Sequence, residues 1–318
     1  MQFDVFNGDA DGVCALHQMR LDFPAESILI TGPKREIDLL KRVEAKAGDE
    51  VLMLDVALAK NRAALDRLLD NGVKVRYFDH HQPGEIPQHS AFEPHINTSP
   101  ETCTSLLVND YLSGRHLVWA VTAAFGDNLE ASARAAAGPL NLSEAQLNQI
   151  KELGECLNYN GYGETLEDLH YDPAELYQIV HRYDDPFDLI QVEPAFQVLR
   201  TGYAEDMAKA SEILPAINRG SGRVFILPAE KWARRISGVF GNLLASTAPA
   251  QAHAVLTRKL EGGYVVSVRA PLTNKARADE ICSQFETGGG RKGAAGINHL
   301  PEEEVDRFIR VFYENYSK

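Results

Sequence analysis

The sequence predicts an α/β protein: an N-terminal doubly wound parallel sheet, a helical connector, and a smaller C-terminal α/β domain. Three observations carry this. Over the first 130 residues, short apolar runs alternate with helix-period segments, as strands and covering helices do in a parallel sheet. Acids and histidines recur just after those runs, where open α/β sheets bind ligands. A Gly/Ser/Arg break at Asn218–Gly222 then precedes a second set of strands and helices.

In order, Phe3–Phe6 reads as a first strand, followed by a Gly/Asp turn and a helix from Gly12 to Phe23. Ser27–Thr31 is a second strand and Ile37–Ala45 a helical stretch. Val51–Leu54 is a third strand, and Lys60–Asn71 is an amphipathic helix stopped near Gly72. Val73–Phe78 is a fourth strand; Thr102–Leu112 and Leu117–Phe125 are helical, with Gly126 as the stop. Residues 130–200 read as mostly helical, interrupted at Tyr171-Asp-Pro173 and Tyr183-Asp-Asp-Pro186. Beyond the break come a strand (Val224–Leu227), a helix (Glu230–Ala245) and two strands (Ala252–Leu260, Tyr264–Arg269). A helix (Arg277–Phe285), a glycine-rich loop (Gly288–Gly296) and a final helix (Glu302–Tyr316) complete the chain. The expected domains are 1–200, a linker over 201–222, and 223–318.

The composition, 44% hydrophobic and 24% charged, is that of a soluble globular protein with a substantial core. Cys14, Cys103, Cys156 and Cys282 lack Cys-x-x-Cys spacing, so neither a disulfide framework nor a zinc-thiolate site is suggested. Met-Gln-Phe-Asp-Val-Phe lacks the basic start of a leader, and no apolar run is long enough to span a bilayer. A cytoplasmic protein with no membrane partner is expected. The net charge of -13 disfavours coating long duplex nucleic acid. Residues 219–299 nevertheless hold twelve Lys/Arg and five acids, a basic segment in an acidic chain.

The chemistry sits mostly at strand ends. Asp9-Ala10-Asp11-Gly12 places two carboxylates beside a turning glycine, and such acids also read as helix caps. Asp55 follows an apolar strand and has the same two readings. Asp79-His80-His81 is sharper: adjacent histidines after a strand are poor core residues, and neutral imidazole is a common metal ligand. Asp127, in Phe125-Gly126-Asp127-Asn128, is a further acid at a helix stop. Hard carboxylate oxygens with imidazole suit Mn²⁺ or Mg²⁺.

Taken together and in this order, these motifs resemble the DHH phosphoesterase family, named for its Asp-His-His triplet. The second half adds to the likeness. Thr287-Gly-Gly-Gly-Arg-Lys-Gly-Ala-Ala-Gly296 is similar to the triple-glycine motif of the DHH-associated domain of the first subtype, and Val266–Arg269 to its arginine-bearing strand. The resemblance runs from Asp4 to Ile297 and is weakest in the helical middle.

It implies a two-ion site, Mn²⁺ with Mg²⁺ as the alternative. Asp11, Asp55, His80 and Asp127 would hold one ion, and Asp9 with the shared Asp55 the other. Asp79 would orient His80, while His81 would face the substrate as a catalytic residue. Arg269 and Arg291 would clamp phosphate bidentately, and Gly288, Gly289 and Gly290 would let backbone amides approach an anion. The chain departs from the family pattern in two places. Asn7 precedes the Asp-x-Asp pair where a histidine is common, so Asn7 or water would substitute there. Arg291 follows the triple glycine in place of histidine, which favours phosphate contact over base stacking.

The implied function is metal-dependent hydrolysis of dinucleotides or very short oligonucleotides, as in the nanoRNases, by two-metal activation of water. A cyclic-dinucleotide phosphodiesterase and a phosphoadenosine-phosphate phosphatase are the enzymatic alternatives. A non-catalytic nucleotide-binding regulator with a degraded site is the alternative from another class. A RecJ-like processive exonuclease, expected to bring further nucleic-acid-binding domains, and a family II pyrophosphatase, with a different second domain, fit less well. The expected partner is a short nucleotide, and a homodimer is compatible with this reading.

Overall fold

The computed structural model describes residues 1–316, so the last two positions of the expected 223–318 domain lie outside the described residues. The chain separates into two compact units, 1–201 and 202–318.

In the first unit, β1 (Gln2–Phe6), α1 (Ala10–Asp22), β2 (Ile28–Ile30), β3 (Glu50–Leu54), α2 (Leu58–Asp70), β4 (Lys74–Asp79) and β5 (Phe92–Ile96) form a parallel sheet with its first helices. The strand order is β2-β1-β3-β4-β5. The winding direction reverses beside β1, so β1 and β3 are neighbours at the switch point. Alternation along the strands feeds two cores. Phe3, Val5, Val51, Met53, Val75 and Tyr77 pack with α2 residues such as Leu65 and Leu68. Phe6, Leu52, Leu54 and Phe78 point the other way and pack with Val13 and Leu16 of α1. Burying each such side chain contributes roughly 1.5–3 kcal/mol, so the two cores can offset the cost of gathering charge at one sheet edge.

That second core also takes residues from α3 (Thr104–Tyr111), α4 (Leu117–Gly126), α6 (Glu144–Gly161), α7 (Pro173–Val180) and α8 (Pro186–Val192), whereas α5 (Glu130–Ala136) packs beside α4. The two Asp-Pro interruptions are helix starts: Asp172 and Asp185 accept from the amides of Ala174 and Phe187, with proline in the first turn. Ser143 and Gln146 form a capping box on α6.

The sequence reading missed β5, because Pro94 interrupts its pattern. This strand is at the sheet edge and pairs only with β4, where a missing N–H is tolerated. The stretch expected as a helix over Ile37–Ala45 holds only a 3₁₀ turn at Leu39–Arg42.

The expected linker over 201–222 is not a loop. Helix α9 (Pro194–Ser211) occupies its first half, and β6 (Ile217–Arg219) pairs with β7 (Gly222–Leu227), so Asn218–Gly222 is a hairpin. The second unit continues with α10 (Lys231–Thr247), β8 (Ala252–Arg258), β9 (Tyr264–Arg269), α11 (Ala278–Cys282), β10 (Gly288–Arg291), β11 (Ala294–Leu300) and α12 (Val305–Tyr316). Its sheet runs β10-β11-β9-β8-β7-β6; only β7 and β8 are parallel, with α10 as their crossover. Phe308 and Phe312 of α12 cover the sheet beside Val224, Leu256 and Val266. The expected glycine-rich loop is instead the β10–β11 hairpin, in which Arg291 pairs with Ala294 across Lys292-Gly293.

Candidate metal centre

Backbone register sets the site. Phe6 is level with Leu54, Leu54 with Phe78, and Phe78 with His95. The stitching continues beyond these residues: Asn7 N–H donates to the Leu54 carbonyl (3.1 Å), Asp55 N–H to that of Phe78 (3.0 Å), and Asn97 N–H to that of Asp79 (3.1 Å). Asn7, Asp55 and Asp79 therefore sit together at the carboxyl edge of the sheet. Asp55 takes a φ of 59°, in the left-handed region that short polar side chains tolerate, and it is 2% exposed.

His80 lies against Asp55, its Nε2 3.3 Å from Asp55 Oδ1 and 3.9 Å from Asp127 Oδ2. Its Nδ1 lies 3.0 Å from the Thr102 carbonyl, an acceptor only, which fixes the proton on Nδ1. That leaves Nε2 facing the carboxylates as the nitrogen a metal ion would take. The ligand atoms of Asp55, His80 and His81 all lie within 4.8 Å of one another.

Asp79 does not orient His80. It accepts from Nδ1 of His81 at 2.7 Å instead. Residues two apart in an extended segment share a side and adjacent ones do not, so Asp79 reaches His81 and leaves His80 to a backbone carbonyl. Burial works against charge on His81, but the hydrogen bond to Asp79 and the nearby Asp55 carboxylate raise its pKa above the ordinary histidine value.

Asp9 and Asp11 are both helix caps and members of the acidic group. Asp9 Oδ1 accepts from the amides of Asp11 and Gly12, closing the first turn of α1. Asp11 caps α3 across the fold, taking the amides of Thr104 and Ser105 at 2.7 Å each. Thr104 also donates its hydroxyl to Asp55 at 3.1 Å. Asp127 follows α4 and lies at the open side of the cluster, its side chain 18% exposed. Asn7 is 5% exposed and its Oδ1 has no protein partner.

The sequence reading missed Lys34. Its Nζ is 2.6 Å from Asp9 Oδ2, 3.6 Å from Asp127 Oδ1 and 3.1 Å from Asn158 Oδ1. The Tyr162 ring lies 5.4 Å away. A signal was present: Gly32-Pro33-Lys34 follows β2, so the lysine emerges at the same sheet edge as Asp9.

The electrostatics differ across the site. Burial, then the carboxylates of Asp11 and Asp9, push the Asp55 carboxyl well above its ordinary range. Burial also acts on Asp9, but the Lys34 ammonium outweighs it and holds that carboxyl low. Burial opposes charge on Lys34 as well, yet Asp9, Tyr162 and Asp127 together raise its pKa well above the ordinary lysine value. The Asp55–His80 end is thus crowded with like charge and fits a hard divalent cation, whereas Asp9 already has a cation from the chain.

The residues expected to bind substrate in the second unit are built into its sheet. Arg269 Nε donates to Asn242 Oδ1 (2.7 Å) and Nη1 to Ser267 Oγ (2.9 Å) and the Val268 carbonyl (3.1 Å). Its Nη2 donates to the Gly238 carbonyl (3.2 Å), so the guanidinium ties β9 to α10. Gly288 is required by packing, because a Cβ there would stand 1.8 Å from the Cys282 carbonyl oxygen. A Cβ on Gly289 would meet open space, while Gly290 has a φ of 145°. Arg291 is exposed on the edge strand β10.

This fold, a parallel five-stranded sheet followed by a mixed sheet, is shared with solved structures of RecJ. No protein-family model matches the sequence. No curated protein matches it either. Among solved structures, the chain is similar to an exonuclease RecJ bound to manganese, with a TM-score of 0.65 at 16% identity, covering 100% of this chain and 90% of that one. RecJ from Thermus thermophilus in complex with Mn²⁺ gives 0.62 at 17%, over 99% of this chain and 52% of that one. A pGpG-specific phosphodiesterase from Vibrio cholerae gives 0.50 at 12%, over 99% and 98%. This chain spans most of one RecJ chain and about half of the Thermus thermophilus one.

Proposed function

We propose that the protein is a divalent-metal-dependent phosphodiesterase acting on dinucleotides or very short oligonucleotides. The observation that carries this is His80: its proton is fixed on Nδ1 by the Thr102 carbonyl, and Nε2 faces Asp55 and Asp127 at the sheet edge. Similarity of fold to a pGpG-specific phosphodiesterase and to manganese-bound RecJ supports the same class. Asp55, His80, Asp127 and the remaining lone pairs of Asp11 would hold Mn²⁺ or Mg²⁺, which lowers the pKa of water and polarises a phosphoryl oxygen. His81, its Nδ1 engaged by Asp79, presents Nε2 to hold a phosphoryl oxygen or pass a proton to the leaving group. Its side chain is 38% exposed, open enough to meet a substrate. In the second unit, Arg291 is an exposed cation and the basic segment 219–299 attracts anions.

The test is a panel of linear dinucleotides, cyclic dinucleotides, phosphoadenosine phosphate and a longer single strand, each with Mn²⁺ and with Mg²⁺. Hydrolysis of the shortest linear members, lost in His80→Ala and Asp11→Ala, is expected. A panel left intact by folded protein overturns the enzyme reading. Preferred, processive digestion of the long strand overturns the short-substrate reading. The Lys34–Asp9 ion pair favours one second reading, a nucleotide-binding regulator; binding of pGpG without turnover would establish it.

A further inference from the structure

We propose that Lys34 is a built-in cation that takes the place of a second divalent ion, so each chain binds one Mn²⁺, at the Asp55–His80 end. The inference rests on the metal-dependent reading above and departs from the two-ion arrangement implied by the sequence resemblance. Asp9 would be the carboxylate peculiar to the second ion. Its Oδ1 already accepts two amides of α1, and its Oδ2 lies 2.6 Å from the Lys34 ammonium. Asn7, two residues earlier, offers an amide where an imidazole would strengthen such a site.

The lysine is held by more than its attraction to Asp9. Its backbone N–H donates to the Gly161 carbonyl at the end of α6 (2.8 Å), fixing where the side chain starts. Asn158, from the last turns of the same helix, accepts from the ammonium, and Asp127 lies on its other side. A dication between Asp9 and Asp55 would face this ammonium within a few ångström and would have to displace it from three oxygen neighbours. Like charges so placed repel strongly wherever water is scarce. The other end of the site is less encumbered: Asp55 and Asp127 converge on His80 Nε2, and Lys34 touches only the far oxygen of Asp127, at 3.6 Å.

A fixed ammonium is not equivalent to a metal ion. It donates up to three hydrogen bonds and cannot be removed by a chelator. It can hold a non-bridging phosphoryl oxygen beside the single metal position while keeping the charge of Asp9 balanced. The arrangement also predicts that Mn²⁺ binds without cooperativity.

The experiment counts ions. Apo protein is titrated with Mn²⁺ by calorimetry, and bound metal is measured after desalting. The wild-type chain is expected to bind one Mn²⁺ and to give the six-line resonance of an isolated ion. Lys34→Met should bind a second ion and show the broadened, exchange-coupled spectrum of a pair, whereas Lys34→Arg, which keeps the charge, should stay at one. Circular dichroism confirms that each variant is folded. Two ions in the wild-type chain, or one in folded Lys34→Met, would overturn the role of Lys34 and leave the metal-dependent reading standing. No Mn²⁺ bound by any of the three would overturn that reading itself.

Discussion

Replacing Gly154 by alanine tests how tightly the helical layer positions the site. Gly154 is buried within α6, where a Cβ would stand 2.1 Å from the Thr122 carbonyl oxygen and 3.0 Å from the Gly126 amide nitrogen, both on α4. The contact is mutual, since a Cβ on Gly126 would meet Ala10 at 2.5 Å and the Gly154 carbonyl oxygen at 2.6 Å. Two effects oppose each other. Alanine is favoured over glycine inside a helix by about 1 kcal/mol. Against it, a methyl group needs about 1 Å more space, and the atoms in its way are backbone and cannot rotate aside. Prising α4 from α6 loosens Trp119 and Ala123 against Leu153 and Leu157. Gaps of that size forfeit a quarter to a half of each contact, and overpacked cores lose about 1–3 kcal/mol, occasionally more. The clash wins, so Gly154→Ala should lower the unfolding free energy by about 1–3 kcal/mol in urea titrations. Because Asp127 follows α4 directly, Mn²⁺ affinity should fall as well. Gly138→Ala is the control: a Cβ there meets nothing within 4 Å, and the substitution should be neutral or stabilising. A Gly154→Ala protein as stable as wild type would refute the argument.

Asp4 is fully buried in β1, bound by the Arg20 guanidinium and by the Ser27 hydroxyl at 2.6 Å. Asp4→Ala strands the arginine and should cost about 3–5 kcal/mol, measured by denaturant unfolding, with a loss under 1 kcal/mol counting against it. Burial, then His181 and His116, depress His17 to about 3 from an ordinary 6.5. The unfolded chain therefore binds a proton that the native chain refuses, and stability is full above pH 6.5 and falls as the pH drops toward 3. The slope should reach about 1.4 kcal/mol per pH unit and flatten by that amount in His17→Gln, so equal slopes between pH 4 and 6 would contradict it. His81→Ala should lower kcat by roughly 100-fold or more while Mn²⁺ affinity holds within a few-fold, and an unchanged kcat would remove its proton-handling role.

Much of the first unit was legible because its signals are local. Apolar strands flanked by polar turns marked β1, β3 and β4, and an acid or Asp-His-His at their ends marked the site. What stayed hidden depends on contacts distant in sequence. Lys34 is read as a surface lysine until β2 is placed beside β1 and α6 ends against its loop. Asp79 beside His80 suggests pairing, yet strand geometry gives the carboxylate to His81. Pro94 disguised an edge strand, and the glycines of 288–290 suggested an open anion loop although Gly288 is demanded by the Cys282 carbonyl. In the second unit, sequence could suggest Arg269 as a phosphate clamp but could not show that Asn242, Ser267, Val268 and Gly238 hold its guanidinium.

For Asp9 and Asp11, helix capping and metal binding were competing explanations in the sequence; the structure shows that both acids cap helices and that capping alone does not exhaust their oxygens. A carboxylate has about four lone-pair positions, and a cap uses only part of them. Asp9 gives one oxygen to α1 and turns the other to Lys34; Asp11 gives each oxygen one amide of α3. Helix amino ends carry partial positive charge, so these caps also stabilise acids that would otherwise repel one another. The strand order β2-β1-β3-β4-β5 makes this possible, because it sets the end of β1 beside that of β3 and leaves α1 to start directly over the site. Capping therefore locks the acids in place, so that a cation bound there would need to reorganise them little. It follows that Asp11→Asn, which keeps an oxygen for capping, should hold the fold better than Asp11→Ala while still weakening Mn²⁺ binding. Equal stability of the two variants would show that the α3 cap contributes nothing to holding the site.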